Sequence, residues 1–170
     1  MKTNSQKIEQ VKVIMIVNSS VKEAFNAAIQ SDLSNIFKKY KSLPSIIGTD
    51  LTESWIKEGL VRTIFFEDDT QVTETLLKVI PHEFFSYKVE NFTSTLRYLT
   101  TKIEGDWIFT KKNTNQTQIE WNYNIYPKNV FAKFLIKLTL KKDLHGYLTN
   151  ALKIVKQNSE TKKMNPNQFI

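Results

Sequence analysis

The stretch NVFAKFLIKLTLKKDLHGYLTNALKIVKQ, residues 129–157, decides how the rest of the chain is read. Within it Phe131, Phe134, Leu135, Leu138, Leu144, Leu148, Ala151, Leu152 and Val155 recur mostly at steps of three and four, the spacing that stacks side chains on one helical face. A helix apolar on one side has to lie against a second layer. In that register Phe131, Leu135, Leu138, Leu148 and Leu152 are expected to be buried, with Lys133, Lys137 and Lys156 in solvent. Gly146 costs roughly 1 kcal/mol relative to alanine in mid-helix, which predicts close packing or a bend there.

What precedes the helix reads as strands and turns. Val11–Val17 is a β-rich run. Asn18-Ser19-Ser20 then introduces a short helix over 21–29, with Ser20 and Glu23 spaced as a capping box. A second short helix follows from Ser31 or Asp32, carrying Leu33, Ile36, Phe37 and Tyr40, and Pro44 closes the region. Strands are expected at Ile46–Leu51, Glu53–Lys57, Leu60–Glu67, Gln71–Ile80, Phe84–Glu90, Tyr98–Lys111 and Gln118–Tyr126, joined by short polar turns. The last two alternate cleanly. Ile103, Gly105, Trp107 and Phe109 share one face, as do Ile119, Trp121, Tyr123 and Ile125. Consecutive strands with tight connections make an antiparallel meander, so the class is α+β, a curved sheet of about seven strands around one long C-terminal helix. Such an arrangement encloses more space than its side chains fill, and an apolar cavity is expected between sheet and helix.

Composition narrows the function classes. A chain of 170 residues fits one domain; residues 9–158 are assigned to it, with 1–8 and 159–170 read as flexible tails. No apolar run approaches the ~18 residues of a membrane span. The first residues lack the apolar core and small-residue cleavage site of a secretion signal, so a cytoplasmic location is expected. Zero cysteine excludes disulfides, thiol nucleophiles and thiolate metal sites. The two histidines, His82 and His145, fit no metal-ligand spacing, so neither metal nor cofactor is expected. Between Lys128 and Gln157 seven lysines face one acid, Asp143, which concentrates +6 of the chain's net +7 on the long helix. That bias reads first as a solvated helix face and second as a weak contact with an anionic membrane surface. No nucleic-acid motif accompanies it, and no nucleic-acid partner is expected.

Several segments resemble bacterial members of the START-like (SRPBCC) superfamily of the polyketide cyclase/dehydrase-like kind. They are Trp55-(x)3-Gly59-(x)2-Arg62-Thr63, Asp69-Thr70, Asn91-Phe92-Thr93 with Leu96-Arg97, Gly105-Asp106-Trp107-Ile108-Phe109-Thr110 and Thr117-Gln118-Ile119-Glu120-Trp121-Asn122-Tyr123. The resemblance covers roughly residues 9–156 and implies the helix-grip fold. It also implies an apolar small-molecule ligand such as a lipid, polyketide or aromatic metabolite. The alternatives it carries are a cyclase or dehydratase-type enzyme, or a lipid-exchange protein docking on membranes through its basic helix. It supplies no universal catalytic motif.

Candidate pocket residues follow from the strand faces and the helix stripe. Trp107, Phe109, Trp121 and Tyr123 should look toward the helix beside Phe85 and Tyr87, with Phe134 and Leu138 opposite them. Arg62 and Glu74 lie on the two arms of the hairpin around Asp68–Thr70, near direct opposition. They read as a cross-strand ion pair, exposed and worth about 0–1 kcal/mol, or turned inward to bind a ligand hydroxyl or carbonyl with Glu74 as a general base. Arg97 is read first as a solvated loop residue, with anchoring of an anionic ligand group as its alternative role. His82 is expected in solvent, and His145 as a helix residue with proton transfer as its alternative role.

Overall fold

The computed structural model describes residues 8–161. Residues 1–7 and 162–170, which hold most of both expected tails, lie outside the described residues. β1 (Glu9–Val17) alternates as its sequence demands, with Val11, Val13 and Val17 buried and Lys12, Ile14 and Ile16 outside. α1 (Val21–Ile29) begins on the capping box: the Glu23 amide donates to Ser20 Oγ, and the Ser20 amide donates to Glu23 Oε2. α2 (Leu33–Ile36) is a single turn capped by Asp32, whose carboxylate accepts from the Ser34 amide. It ends before Phe37 and Tyr40.

Six more strands follow: β2 (Ile46–Thr49), β3 (Val61–Phe66), β4 (Gln71–Ile80), β5 (Phe84–Glu90), β6 (Thr100–Asn113) and β7 (Gln116–Pro127). They form one antiparallel sheet in the order β1-β7-β6-β5-β4-β3-β2, a meander closed on its far edge by the first strand of the chain. Two expected strand segments differ. Glu53–Lys57 is a loop, because Trp55 turns inward and is 6 % exposed, ending any alternation there. Tyr98 and Leu99 belong to the short helix α3 (Leu96–Leu99) rather than to β6.

The long helix has three parts. α4 (Val130–Leu135) is capped by Asn129, whose side chain accepts from the Ala132 amide. A π-helical turn spans Ile136–Leu140, and α5 runs over Lys141–Thr161. The helix therefore continues past residue 157, and Ser159–Thr161, expected in the tail, are helical with Ser159 buried. No described helix is long and apolar enough to cross a membrane.

The π turn corrects the expected register. It fits an extra residue into one turn, and one residue corresponds to roughly 100° of helix rotation. Only the C-terminal half keeps its predicted face inward, with Leu144, Leu148, Ala151, Leu152 and Val155 buried against α1 and β1. In the first half Phe131 and Leu138 are exposed, Leu135 is half-buried, and Ile136 is buried instead. Lys137 is exposed as expected. Lys133 and Lys156 are half-buried, the first drawn to Glu9 and the second donating to the Ile16 carbonyl at 2.8 Å.

Gly146 sits where the Tyr40 ring packs onto the helix; a Cβ there would lie 2.5 Å from the ring. Close packing, not bending, accounts for this glycine.

Candidate functional site

A cavity of about 360 Å³ lies between the concave face of the sheet and the long helix. Its floor is built by strand register. Trp107 on β6 pairs directly with Trp121 on β7 and with Phe85 on β5. Their rings stack, with centroids 4.2 Å apart for the tryptophans and 5.4 Å for Phe85 and Trp107. Two residues along, Tyr87, Gly105 and Tyr123 face one another across the same strands. Gly105 lets the Tyr87 ring lie across β6, since a Cβ there would clash with the hydroxyl end of that ring. The Tyr87 hydroxyl then accepts a hydrogen bond from Trp121 Nε1 at 3.0 Å. Gly105→Ala is accordingly expected to lower stability by about 1–3 kcal/mol in urea unfolding. Gly48→Ala, where a Cβ meets nothing within 4 Å, should stay within about 0.5 kcal/mol.

Arg62 and Glu74 are directly paired across β3 and β4 and point into the cavity, which corrects the reading of an exposed pair. They are 8 % and 4 % exposed. Arg62 Nε and Nη2 both reach Glu74 Oε2 at 2.5 Å, leaving Oε1 without a protein partner among the described residues. The guanidinium also lies 4.0 Å from the centroid of the Trp55 ring, a cation–π contact that explains why this loop folds inward. Burial pushes the Glu74 carboxyl above its ordinary value, and Arg62 opposes that shift. Burial likewise raises the Tyr87 and Tyr123 hydroxyls, with the Glu74 charge adding to both. One interior patch of a cavity walled mainly by apolar side chains thus holds a guanidinium, a carboxylate oxygen and a phenol.

Of the sequence candidates, Arg62, Glu74, Phe85, Tyr87, Trp107, Trp121 and Tyr123 line the cavity. Phe109 does not. It is buried one step farther along β6, against Phe25 and Phe85. Phe134 and Leu138 are corrected outright: the π turn leaves them 60 % and 67 % exposed, and Thr139 and Leu140 line the cavity in their place. Arg97 points away from it, donating to the Thr93 carbonyl and stacking on Tyr98. His82 is half-exposed with its ring edge-on to Phe25, and His145 is exposed on α5. Sequence reasoning missed Trp55, Phe37 and Tyr147. Tyr147 follows Leu144 by three and Phe37 follows Leu33 by four, spacings that could have found both; Trp55 lies in an irregular segment with no period to read.

The exposed lining residues Ser42, Asp68, Thr95 and Thr139 mark the mouth. It opens between the β3–β4 turn, the loop before β2, the segment leading into α3, and the π turn.

No family model matches the sequence, and no curated protein matches it at the level of sequence. Solved structures do match its shape. The Zhui aromatase/cyclase from Streptomyces sp. R1128 superposes with a TM-score of 0.68 at 11 % identity, covering 95 % of this chain and 99 % of its own. Ara h 8.0201 gives 0.65 at 12 %, covering 91 % and 99 %. Norcoclaurine synthase from Thalictrum flavum, solved in complex with dopamine and hydroxybenzaldehyde, gives 0.63 at 13 %, covering 90 % and 89 %. At such identities the likeness is one of architecture, and the chain has the helix-grip fold, a curved antiparallel sheet around a long C-terminal helix.

Proposed function

We propose that this protein binds a hydrophobic small molecule, a lipid, polyketide or aromatic metabolite, in the cavity between sheet and long helix, and that it does so in the cytoplasm. The observation that carries this reading is the cavity itself: about 360 Å³ walled mainly by aromatic and aliphatic side chains, with the Arg62–Glu74 pair inside and further polar residues at the mouth. Binding sites for small organic molecules have this make-up, apolar walls for affinity and a few polar groups for orientation. Here the free Oε1 of Glu74 accepts from a ligand hydroxyl, and the Tyr123 hydroxyl serves a carbonyl or a second hydroxyl. The solved neighbours include an aromatase/cyclase and a synthase holding two aromatic molecules.

An apolar naphthylamine dye is expected to bind with enhanced fluorescence and to quench tryptophan emission, since Trp107 and Trp121 form the cavity floor. Trp121→Ala should weaken that binding. Unchanged tryptophan emission at saturating dye would place the dye elsewhere and count against the cavity. Native mass spectrometry of protein purified from its own host would then identify what it retains.

A second reading is a cyclase or dehydratase-type enzyme, favoured by the Glu74 carboxyl held above its ordinary value beside an unpartnered carboxylate oxygen. A carboxyl raised toward neutrality suits general acid–base work, which contributes typically 10²–10⁴-fold in rate. Turnover of a reactive polyketide that collapses in Glu74→Gln, while dye affinity stays intact, would establish catalysis over binding.

A further inference from the structure

The long helix carries a second surface that the cavity does not use. Val130, Phe131, Phe134 and Leu138 are 85 %, 70 %, 60 % and 67 % exposed. Residues three and four apart are neighbours on a helix, so Phe134 adjoins Val130 and Phe131 on one side and Leu138 on the other. Large apolar side chains grouped this way on a surface mark an interaction site. The backbone gives the cause: the π turn at Ile136–Leu140 keeps this stripe from following the buried stripe of α5.

Lysines frame the patch. Lys137 stands three residues beyond Phe134, and Lys141 and Lys142 three and four beyond Leu138, with Lys128 ahead of the helix. No acidic residue occurs between positions 128 and 142. Lys133 and Lys141 lie near Glu9, at 3.6 and 3.1 Å, whereas Lys137 and Lys142 make no ion pair among the described residues.

We propose that this face docks on a bilayer containing anionic lipid, its apolar side chains entering the interface and its lysines meeting the headgroups. An amphipathic helix with lysines beside exposed Phe and Leu has the chemistry such a surface recognises. A second copy of this chain suits the face poorly. A two-fold contact would bring together Lys137 and Lys142 of both copies, neither of which makes an ion pair among the described residues.

The placement has a consequence for the cavity. Thr139, at the mouth, follows Leu138 directly, and α3, whose Leu96 and Leu99 line the cavity, packs against α4. Docking therefore turns the mouth toward the headgroups, where an apolar molecule can enter or leave without crossing water. That consequence rests on the binding reading above; docking itself does not.

The test is co-sedimentation with phosphatidylcholine vesicles and with vesicles in which about a third of the lipid is phosphatidylserine. Wild-type protein is expected to bind the anionic vesicles preferentially and to be released by about 0.5 M salt. The triple variant Phe131→Ser, Phe134→Ser, Leu138→Ser should lose at least roughly tenfold in affinity, as should Lys137→Glu with Lys142→Glu. These side chains are exposed, and unchanged dye binding will show that the cavity is intact. The proposal is overturned by equal binding to both vesicle types or by variants that bind as well as wild type. It is equally overturned by a concentration-dependent dimer that the triple variant abolishes, which would make the face a self-association surface. Because the vesicles report docking without any ligand, failure here leaves the cavity reading standing, and failure of dye binding leaves docking standing.

Discussion

Arg62→Met is expected to lower the free energy of unfolding by about 3–5 kcal/mol at neutral pH, the cost of stranding a buried charge. The partner left behind is Glu74, 4 % exposed, whose carboxylate bonds to no other side chain among the described residues. The pH dependence carries the signature. Burial already raises the folded-state pKa of Glu74 above its ordinary 4.5, and loss of Arg62 removes the opposing influence. A carboxyl raised on folding binds its proton more tightly in the native state, so stability falls as pH climbs from 4.5 toward the folded value. The deficit of Arg62→Met should therefore be smaller near pH 4.5 than at neutrality. Replacing both partners, Arg62→Met with Glu74→Met, should recover most of the loss, because an apolar pair carries no desolvation cost. Urea unfolding of the three variants at both pH values checks this. A loss below about 1 kcal/mol for Arg62→Met would mean the pair is solvated and behaves as a surface ion pair.

Leu148→Ala should cost about 2–5 kcal/mol, the range for a leucine removed from a packed core. Leu148 is 1 % exposed on the inner face of α5. Leu138→Ala, ten residues earlier on the same continuous helix, is expected to stay within about 0.5 kcal/mol, since that side chain is 67 % exposed. The contrast tests the π turn directly. A helix unbroken in register would bury both leucines and give comparable losses, as the simple periodicity of the sequence implies. Thermal or urea unfolding of the two variants side by side decides between these registers.

Legibility from sequence followed the range of the physics involved. Trp107 and Trp121 were placed on the concave face correctly because a strand alternates with period two, and one buried face fixes every second residue. The Ser20–Glu23 capping box was equally readable, since its partners are three residues apart. Leu148 and Leu152 were placed correctly by helical period, whereas Phe131, Phe134 and Leu138 were not. The π turn at Ile136–Leu140 contains no glycine or proline to mark it, so the simple period runs on through a break the chain does not advertise. Trp55 was lost for a related reason. Residues 53–57 read as a strand, but Trp55 contacts Arg62, and a cation–π contact in a loop has no periodicity.

The sequence by itself determined the α+β class, the meander, the long C-terminal helix and the aromatic floor of the cavity. Each rests on local patterns of hydrophobicity and turn chemistry, which operate over a few residues. Tertiary structure alone decided that Arg62 and Glu74 turn inward, that Gly105 makes room for Tyr87, and which face of α4 meets solvent. Those outcomes depend on which distant surfaces come together. The energy of burying a charge pair or rotating a helical face is set by neighbours across the fold, not by neighbours in the chain.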